Sequence, residues 1–336
     1  MVQVPSKINK FSVLDPSLKS LLRKSIEGDI RFDKITREIY STDASIYKIM
    51  PICVVIPKTK QDLKSVIEIA WENKIPVLPR GGGSSLSGQT VNEAIVIDFS
   101  KHINNIKEID KSTQKAIVEP GITIDQLNYQ LKNHNLFFTP DPSTTNRATV
   151  GGVIGNNSCG AHSIIYGKTI DHILKLKTIL SDGTYCIFEP IKHSEIHKKI
   201  NSDSLESKIY SKSLSLHKKY IDEIKLKFPN LLRRVGGYNL DAVSSENYFD
   251  ITKLIVESEG TLATTLEAEI NLEKIPKHKG LLVLEFDDLI KSMEATTLTL
   301  ESNPSSVEHI GQLILNEARK SAGFSSGTNF LSGNPN

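Results

Sequence analysis

Two glycine clusters carry the clearest chemical signal in this chain: Arg80–Gln89 (RGGGSSLSGQ) and Pro140–Gly167 (PDPSTTNRATVGGVIGNNSCGAHSIIYG). Glycine tolerates φ > 0 and lets the backbone approach a ligand closely. Successive freed N–H groups can then face an anion. The first cluster adds hydroxyls at Ser84, Ser85 and Ser87 and an amide at Gln89. The second holds Gly151, Gly152, Gly155, Gly160 and Gly167 among small polar residues. Two such loops predict one long ligand with a diphosphate near its middle.

Two familiar phosphate devices do not fit. In a G-x-G-x-x-G turn, Gly81 and Gly83 would put Leu86 in place of the third glycine, and Asp98 only loosely meets the acidic position. A P-loop fits the spacing from Gly83 to Gly88 and the hydroxyl of Thr90, but Gln89 stands where lysine belongs. Without that ammonium, nucleotide triphosphate hydrolysis lacks a contact to the terminal phosphates. What remains is a nest of amides, hydroxyls and one side-chain amide. The plainer reading is a pair of surface turns. Two clusters, each bounded by apolar strands, favour a ligand.

The elements around the clusters read as follows. Ile52–Ile56 is a short apolar run ended by Pro57, a buried strand. Thr59 and Asp62 have capping-box spacing, and Leu63, Val66, Ile67, Ala70 and Trp71 form the helix stripe that follows. Ile75–Leu78 and Ala94–Phe99 are further strands, with the first cluster at the carboxyl end of one of them. Ile106–Ile109 and Ala116–Glu119 pair, and Pro120–Gly121 turns into a helix over Ile124–His134. Leu174–Leu180 alternates, Asp182–Gly183 signals a hairpin and Tyr185–Phe188 returns. Strands are expected within Leu254–Leu272 and at Leu281–Phe286, and helices at Pro16–Ile26, Asp287–Leu300 and Ile310–Lys320.

Bulk properties narrow the class. The chain has 336 residues, 38% hydrophobic and 24% charged, which suits an ordinary globular chain of about two domains. Its 41 basic and 39 acidic residues give a formal charge of +2, and no reason to expect nucleic acid. Residues 191–234 concentrate eleven Lys or Arg against five Asp or Glu, read as solvated outer helices. Cys53, Cys159 and Cys186 are scattered, so neither a disulfide framework nor a metal cage is expected. There is no apolar run of membrane-spanning length and no secretory signal at the start. The default location is the cytoplasm, with peripheral contact at the inner membrane left open.

Four blocks in order carry a resemblance: Pro79–Gln89, Val118–Leu127 (VEPGITIDQL), Pro140–Gly167 and Val256–Leu262 (VESEGTL). Together they resemble the FAD-binding PCMH-type fold of the vanillyl-alcohol-oxidase group. GNNSCGAHS and RRVGGYNLD are similar to bacterial D-lactate and D-2-hydroxyglutarate dehydrogenases, in the branch that fuses an FAD half to an iron–sulfur half. The resemblance implies an α+β protein. An N-terminal segment, 1–49, precedes a two-subdomain PCMH-type FAD-binding domain, 50–275, with the Lys-rich helical insert 191–234. An incomplete start of an α/β substrate (cap) domain follows over 276–336. It implies non-covalent FAD, since Ser84 and Ser85 stand where some members carry a linking histidine. His162 in the second loop reads as an ordinary polar residue. An iron–sulfur cluster belongs only to the longer relatives.

The site residues implied are these. Backbone amides of Gly81, Gly82, Gly83 and Ser84, helped by Ser85 and Gln89, take the diphosphate. Gly151, Gly152, Gly155, Asn156, Ser158 and Gly160 take the isoalloxazine and ribityl region. Pro140, Asp141, Tyr166 and Gly167 shape that loop, and Val256, Gly260 and Thr261 close it. Glu259 is expected to fix the turn around the cofactor. The chain departs from the family pattern at Glu257 and Ala263, which flank S-E-G-T-L in place of glycine, and at its end, which reads as half of a substrate domain. A truncated product or fragment is therefore expected. The reaction implied is oxidation of a small 2-hydroxy acid by hydride transfer from C2 to flavin N5, with an electron acceptor of unknown identity. No catalytic base is assigned and no metal is expected. Arg147 reads as a surface arginine, and nothing in the sequence ties His309 or Arg319 to a site. A flavin-binding remnant without turnover and other oxidases or reductases of the fold stay open.

Overall fold

The short apolar runs at Cys53–Ile56 and Ile95–Asp98 become strands covered on both faces. The computed structural model describes residues 2–3 and 16–335; the rest of the N-terminal segment and the last residue lie outside the described residues. A first sheet has the spatial order Asp29–Arg31, Cys53–Ile56, Ile95–Asp98, Val77–Arg80. Its last three strands are parallel and Asp29–Arg31 is antiparallel. Every residue of Ile95–Asp98 is buried, as expected of a strand covered on both sides. The helix Lys60–Glu72 starts from the expected capping box, Thr59 with Asp62. It buries Leu63, Val66, Ile67 and Ala70, while Trp71, on the margin of that stripe, is exposed. The helix Pro16–Ser25 adds Leu18 and Leu22 to the same core.

A second sheet is antiparallel throughout, in the order Tyr185–Phe188, Ile173–Ile179, Thr264–Asn271, Lys115–Val118, Ile106–Asp110. The hairpin at Asp182–Gly183 closes as expected, with Gly183 at φ +87°. Helices Ile124–Leu131 and Val150–Asn156 contribute to the larger core. The long Lys-rich helix Leu205–Lys227 joins it through Tyr210, which is fully buried beside Phe188. Ile179 and Leu266 of the second sheet enter the core of the first. Lys60 of the first subdomain also pairs with Glu267 of the second, which takes Lys177 at 2.6 Å as well. These contacts join the two halves.

Two sequence expectations change. Before the SEGT turn the chain forms a helical turn, Thr252–Ile255, and only Thr264–Asn271 is a strand. Leu281–Phe286 forms no strand: among the described residues it has no pairing partner, and Leu281 is 91% exposed. β-propensity without a neighbour to supply ladder hydrogen bonds does not make a strand. The helices Leu289–Leu300 and Gln312–Lys320 follow as expected, with apolar side chains such as Leu298 and Leu313 exposed.

Candidate functional site

The two glycine clusters lie against each other. A methyl group placed on Gly81 would sit 2.1 Å from Oγ1 of Thr149, and one on Gly82 would sit 2.2 Å from the carbonyl oxygen of Arg147. No side chain fits in either gap. Thr149 caps the helix Val150–Asn156, its Oγ1 accepting from the N–H of Gly152 at 3.2 Å. Gly151 donates to the carbonyl of Pro120 at 2.8 Å, so the V-E-P-G turn is the third wall. The SEGT turn is the fourth: Glu257 N–H donates to Ile154 O (3.0 Å) and Glu259 N–H to Gly155 O (2.9 Å).

These four blocks line an open cleft. Gly81, Ser85, Gln89, Gly151, Gly152, Gly155 and Gly260 line it. Arg80, Thr90, Phe99, Pro120, Thr149, Ser258, Glu259 and Thr265 also line it, and sequence reasoning did not assign them to ligand contact. The capping position of Thr149, just before a helix, was a signal that could have found it.

The rest of the expected set falls elsewhere. Gly82, Gly83 and Ser84 belong to the first loop but are not among the residues that line the cleft, and the carbonyl of Gly83 accepts from Ala44 N–H at 3.1 Å. Asn156 reaches the cleft wall through Glu259, and Ser158 Oγ donates to Asn156 Oδ1 at 2.8 Å. Pro140, Asp141, Gly160, Tyr166 and Gly167 form a separate stretch that does not line the cleft. There Asp141 sits under Gly160 and lies 2.5 Å from Nδ1 of His162. Tyr166 packs edge-on against Phe137. Thr261 is exposed, its hydroxyl donating to Ser258 O at 2.6 Å. Val256 is fully buried in the larger core, so its side chain faces away from any ligand. Arg147 is exposed and outside the lining.

Arg80 anchors the first loop. Its guanidinium donates to the carbonyls of Tyr40 (3.0 Å), Thr90 (2.8 Å) and Thr42 (2.8 Å) and stacks on the Tyr40 ring. Tyr40 in turn donates to Asp98. Burial, with the Asp98 carboxylate adding to it, pushes the Tyr40 phenol well above its usual range. In the third wall, burial alone would raise Glu119. Lys107 at 2.8 Å and two bonds from Asn105 overcome that and hold its carboxyl below the usual range.

Three observations fit a flavin dinucleotide. None of the N–H groups from Gly81 to Ser85 has a protein acceptor among the described residues, so these donors are free for a ligand. On the cleft side of their helix, a Cβ on Gly155 would meet only ordinary contacts, and one on Gly152 a single close atom, Thr149 Oγ1 at 3.2 Å. Ser258 is 3% exposed, and its Oγ has no partner among the described residues. Uncharged donors at the first loop and open, methyl-free walls suit a diphosphate flanked by flat or polyol groups.

Residues 51–188 match the family model described as FAD binding domain. The match covers 138 of the 336 residues. It includes both glycine clusters and the V-E-P-G turn, while the SEGT turn comes from outside the matched range. The D-2-hydroxyglutarate dehydrogenase of Pantoea ananatis (strain AJ13355) is 34% identical over 308 residues, 90% of this chain and 30% of that protein. The enzyme of the same name from Escherichia coli (strain K12) is 33% identical with the same coverage. The chain thus spans about 30% of the length of these curated relatives. A solved alkyldihydroxyacetonephosphate synthase superposes with a TM-score of 0.60 at 18% identity, over 87% of this chain and 48% of that one. The likeness at that identity concerns the fold, which is of the PCMH-type FAD-binding kind. No helix among the described residues is long and apolar enough to cross a membrane.

Proposed function

We propose that the cleft holds FAD non-covalently and that this chain is the cofactor-binding part of an oxidoreductase acting on a D-2-hydroxy acid of the D-2-hydroxyglutarate or D-lactate type. The observation that carries the reading is 34% identity to a D-2-hydroxyglutarate dehydrogenase over 90% of this chain, with all four cleft walls inside the described fold. Bound FAD would supply the two-electron acceptor. This chain's residues bind and orient it. The amides of Gly81–Ser85 donate to the diphosphate, with Gln89 beside them. Gly151, Gly152 and Gly155 let the ligand lie close to the helix. Asn156 and Ser158 extend that wall, and Asp141, Gly160, Tyr166 and Gly167 shape the loop beyond it. Residues 50–275 form the cofactor unit in this reading, and 276–336 begin the substrate domain. Electrons leave to an acceptor outside this chain.

The test is to load purified protein with FAD and add the D- and L-forms of 2-hydroxyglutarate and lactate. Yellow protein releasing FAD on acid treatment, with bleaching by one D-acid only, is the expected result. FAD binding without bleaching by any of the four would restrict the reading to cofactor binding. A protein that takes up no FAD would overturn it.

A further inference from the structure

The carboxyl-terminal half of the Lys-rich helix Leu205–Lys227 borders a second hollow. His217, Ile221 and Lys225 recur at helical spacing, so they share one face and line it together. Lys168, Arg234 and Asp241 close it from two other segments. The hollow shares no lining residue with the glycine-loop cleft. Three cations meet there against one carboxylate, and that carboxylate is already engaged: Arg234 Nη2 lies 2.6 Å from Asp241 Oδ1. Lys168 Nζ donates only to a neutral group, the carbonyl of Arg234, at 3.1 Å. Lys225 has no hydrogen bond or ion pair with a protein group among the described residues. Nδ1 of His217 is buried and has no partner among them either.

Charges of one sign around a concave surface repel each other and concentrate their field inside it. An ammonium carries three donors and no acceptor, so Lys168 and Lys225 keep hydrogens to give. A ligand that answers them must bring negative charge and several acceptor oxygens. The carboxyl end of the helix opposes an anion with about half an elementary charge, less than the two ammonium charges left without a carboxylate. Arg234 is fixed rather than free, tied to Asp241 and lying 4.8 Å from the centre of the Phe228 ring. We propose that this hollow is a second ligand site, for a small polyvalent oxyanion, with Lys168 and Lys225 donating to its oxygens and His217 Nδ1 adding a third donor. The proposal is independent of the FAD reading above. Burial, with Lys225 adding to it, holds the His217 ring below its usual range, as expected of an imidazole in a positive setting with no acceptor beside it.

The experiment is calorimetric titration of the full chain, saturated with FAD, with orthophosphate and with succinate. FAD in place keeps either probe away from the Gly81–Ser85 amides. Wild-type protein is expected to bind at least one of the two. Tighter phosphate marks a phosphoryl ligand, and tighter succinate a dicarboxylate. Lys168→Ala and Lys225→Ala each weaken that binding about tenfold. Lys212→Ala is the control, on the same helix about 20 Å away. At about 0.1 M ionic strength that is beyond the Debye length of about 10 Å, so binding changes less than about twofold. Lys225 is exposed, so its variant keeps the fold and tests the site even where Lys168→Ala disturbs the contact to Arg234. No binding of either probe by wild type would overturn the proposal, as would equal losses in Lys225→Ala and Lys212→Ala. If the chain takes up no FAD, the same pair of variants still decides, because the hollow and the cleft share no residue.

Discussion

The first and second glycine loops use the same residue type for different ends. In the first, Gly81 and Gly82 are squeezed against Thr149 and Arg147 while their amides stay free. Glycine there allows two loops to touch while the amide donors keep no protein acceptor among the described residues. In the second, Gly155 sits in a helix with room for a methyl group and Gly152 with nearly as much, and their open side faces the cleft. The anchoring differs too. Arg80, which stays charged at any ordinary pH, holds the first loop through three carbonyls. Carboxylates hold the second: Asp141 meets His162, Glu257 accepts from Asn157 and Glu259 from Asn156. Glycine content alone therefore does not say whether a glycine is there for packing or for ligand space.

The largest effect is expected at the contact between the loops. Gly81→Val or Gly82→Val must push the loops apart, costing about 1–3 kcal/mol of stability by overpacking and lowering FAD affinity by about 100-fold. Denaturant unfolding and flavin titration measure the two separately. A variant that binds FAD like wild type would show that the loops need not touch.

Gly152→Ala and Gly155→Ala should split stability from binding. Alanine in a helix gains about 0.5–1 kcal/mol over glycine, while a methyl in the cleft weakens FAD by about tenfold. A rise in melting temperature together with poorer titration is the expected pattern, clearer at Gly155 than at Gly152, where Thr149 must give slightly. Unchanged binding would mean that the ligand does not use that wall.

Acid should act on the V-E-P-G turn, through Glu119. Glu119, whose carboxyl is held low in the folded protein, contributes stability that is fully present above its unfolded value of about 4.3. That contribution is lost as pH falls through the lower folded value. Glu119→Gln should cost about 1–2 kcal/mol near neutrality and flatten the stability profile below that unfolded value. Unfolding midpoints measured across the acid range check both. The smallest effect is expected at Gly236, where an added Cβ would meet nothing within 4 Å and φ is not left-handed. Gly236→Ala should leave stability within about 0.5 kcal/mol and FAD binding unchanged.

Local sequence was legible wherever a strong pattern met a partner. The strands Cys53–Ile56 and Ile95–Asp98, the Thr59 capping box and the Asp182–Gly183 hairpin all stand close to where the residues put them. Trp71 and Leu281–Phe286 did not follow, because neither stripe membership nor β-propensity says what lies opposite. In the site, glycine runs announced both loops. Within V-E-S-E-G-T-L the sequence points to Val256, Gly260 and Thr261, yet Val256 lies in the core and Ser258 lines the cleft, since a one-dimensional string cannot tell a core side chain from a lining one.

By itself, the order of residues determined the four blocks, their turns and caps and the kind of ligand that amide-rich glycine loops accept, because these rest on backbone freedom and short-range hydrogen bonding. Only the tertiary structure decided that Gly81 meets Thr149 and that Pro120 and the SEGT turn close the same cleft. The reason is distance along the chain: residues far apart in sequence become neighbours only through two packed sheets, and their spacing is set by burial rather than by any local rule.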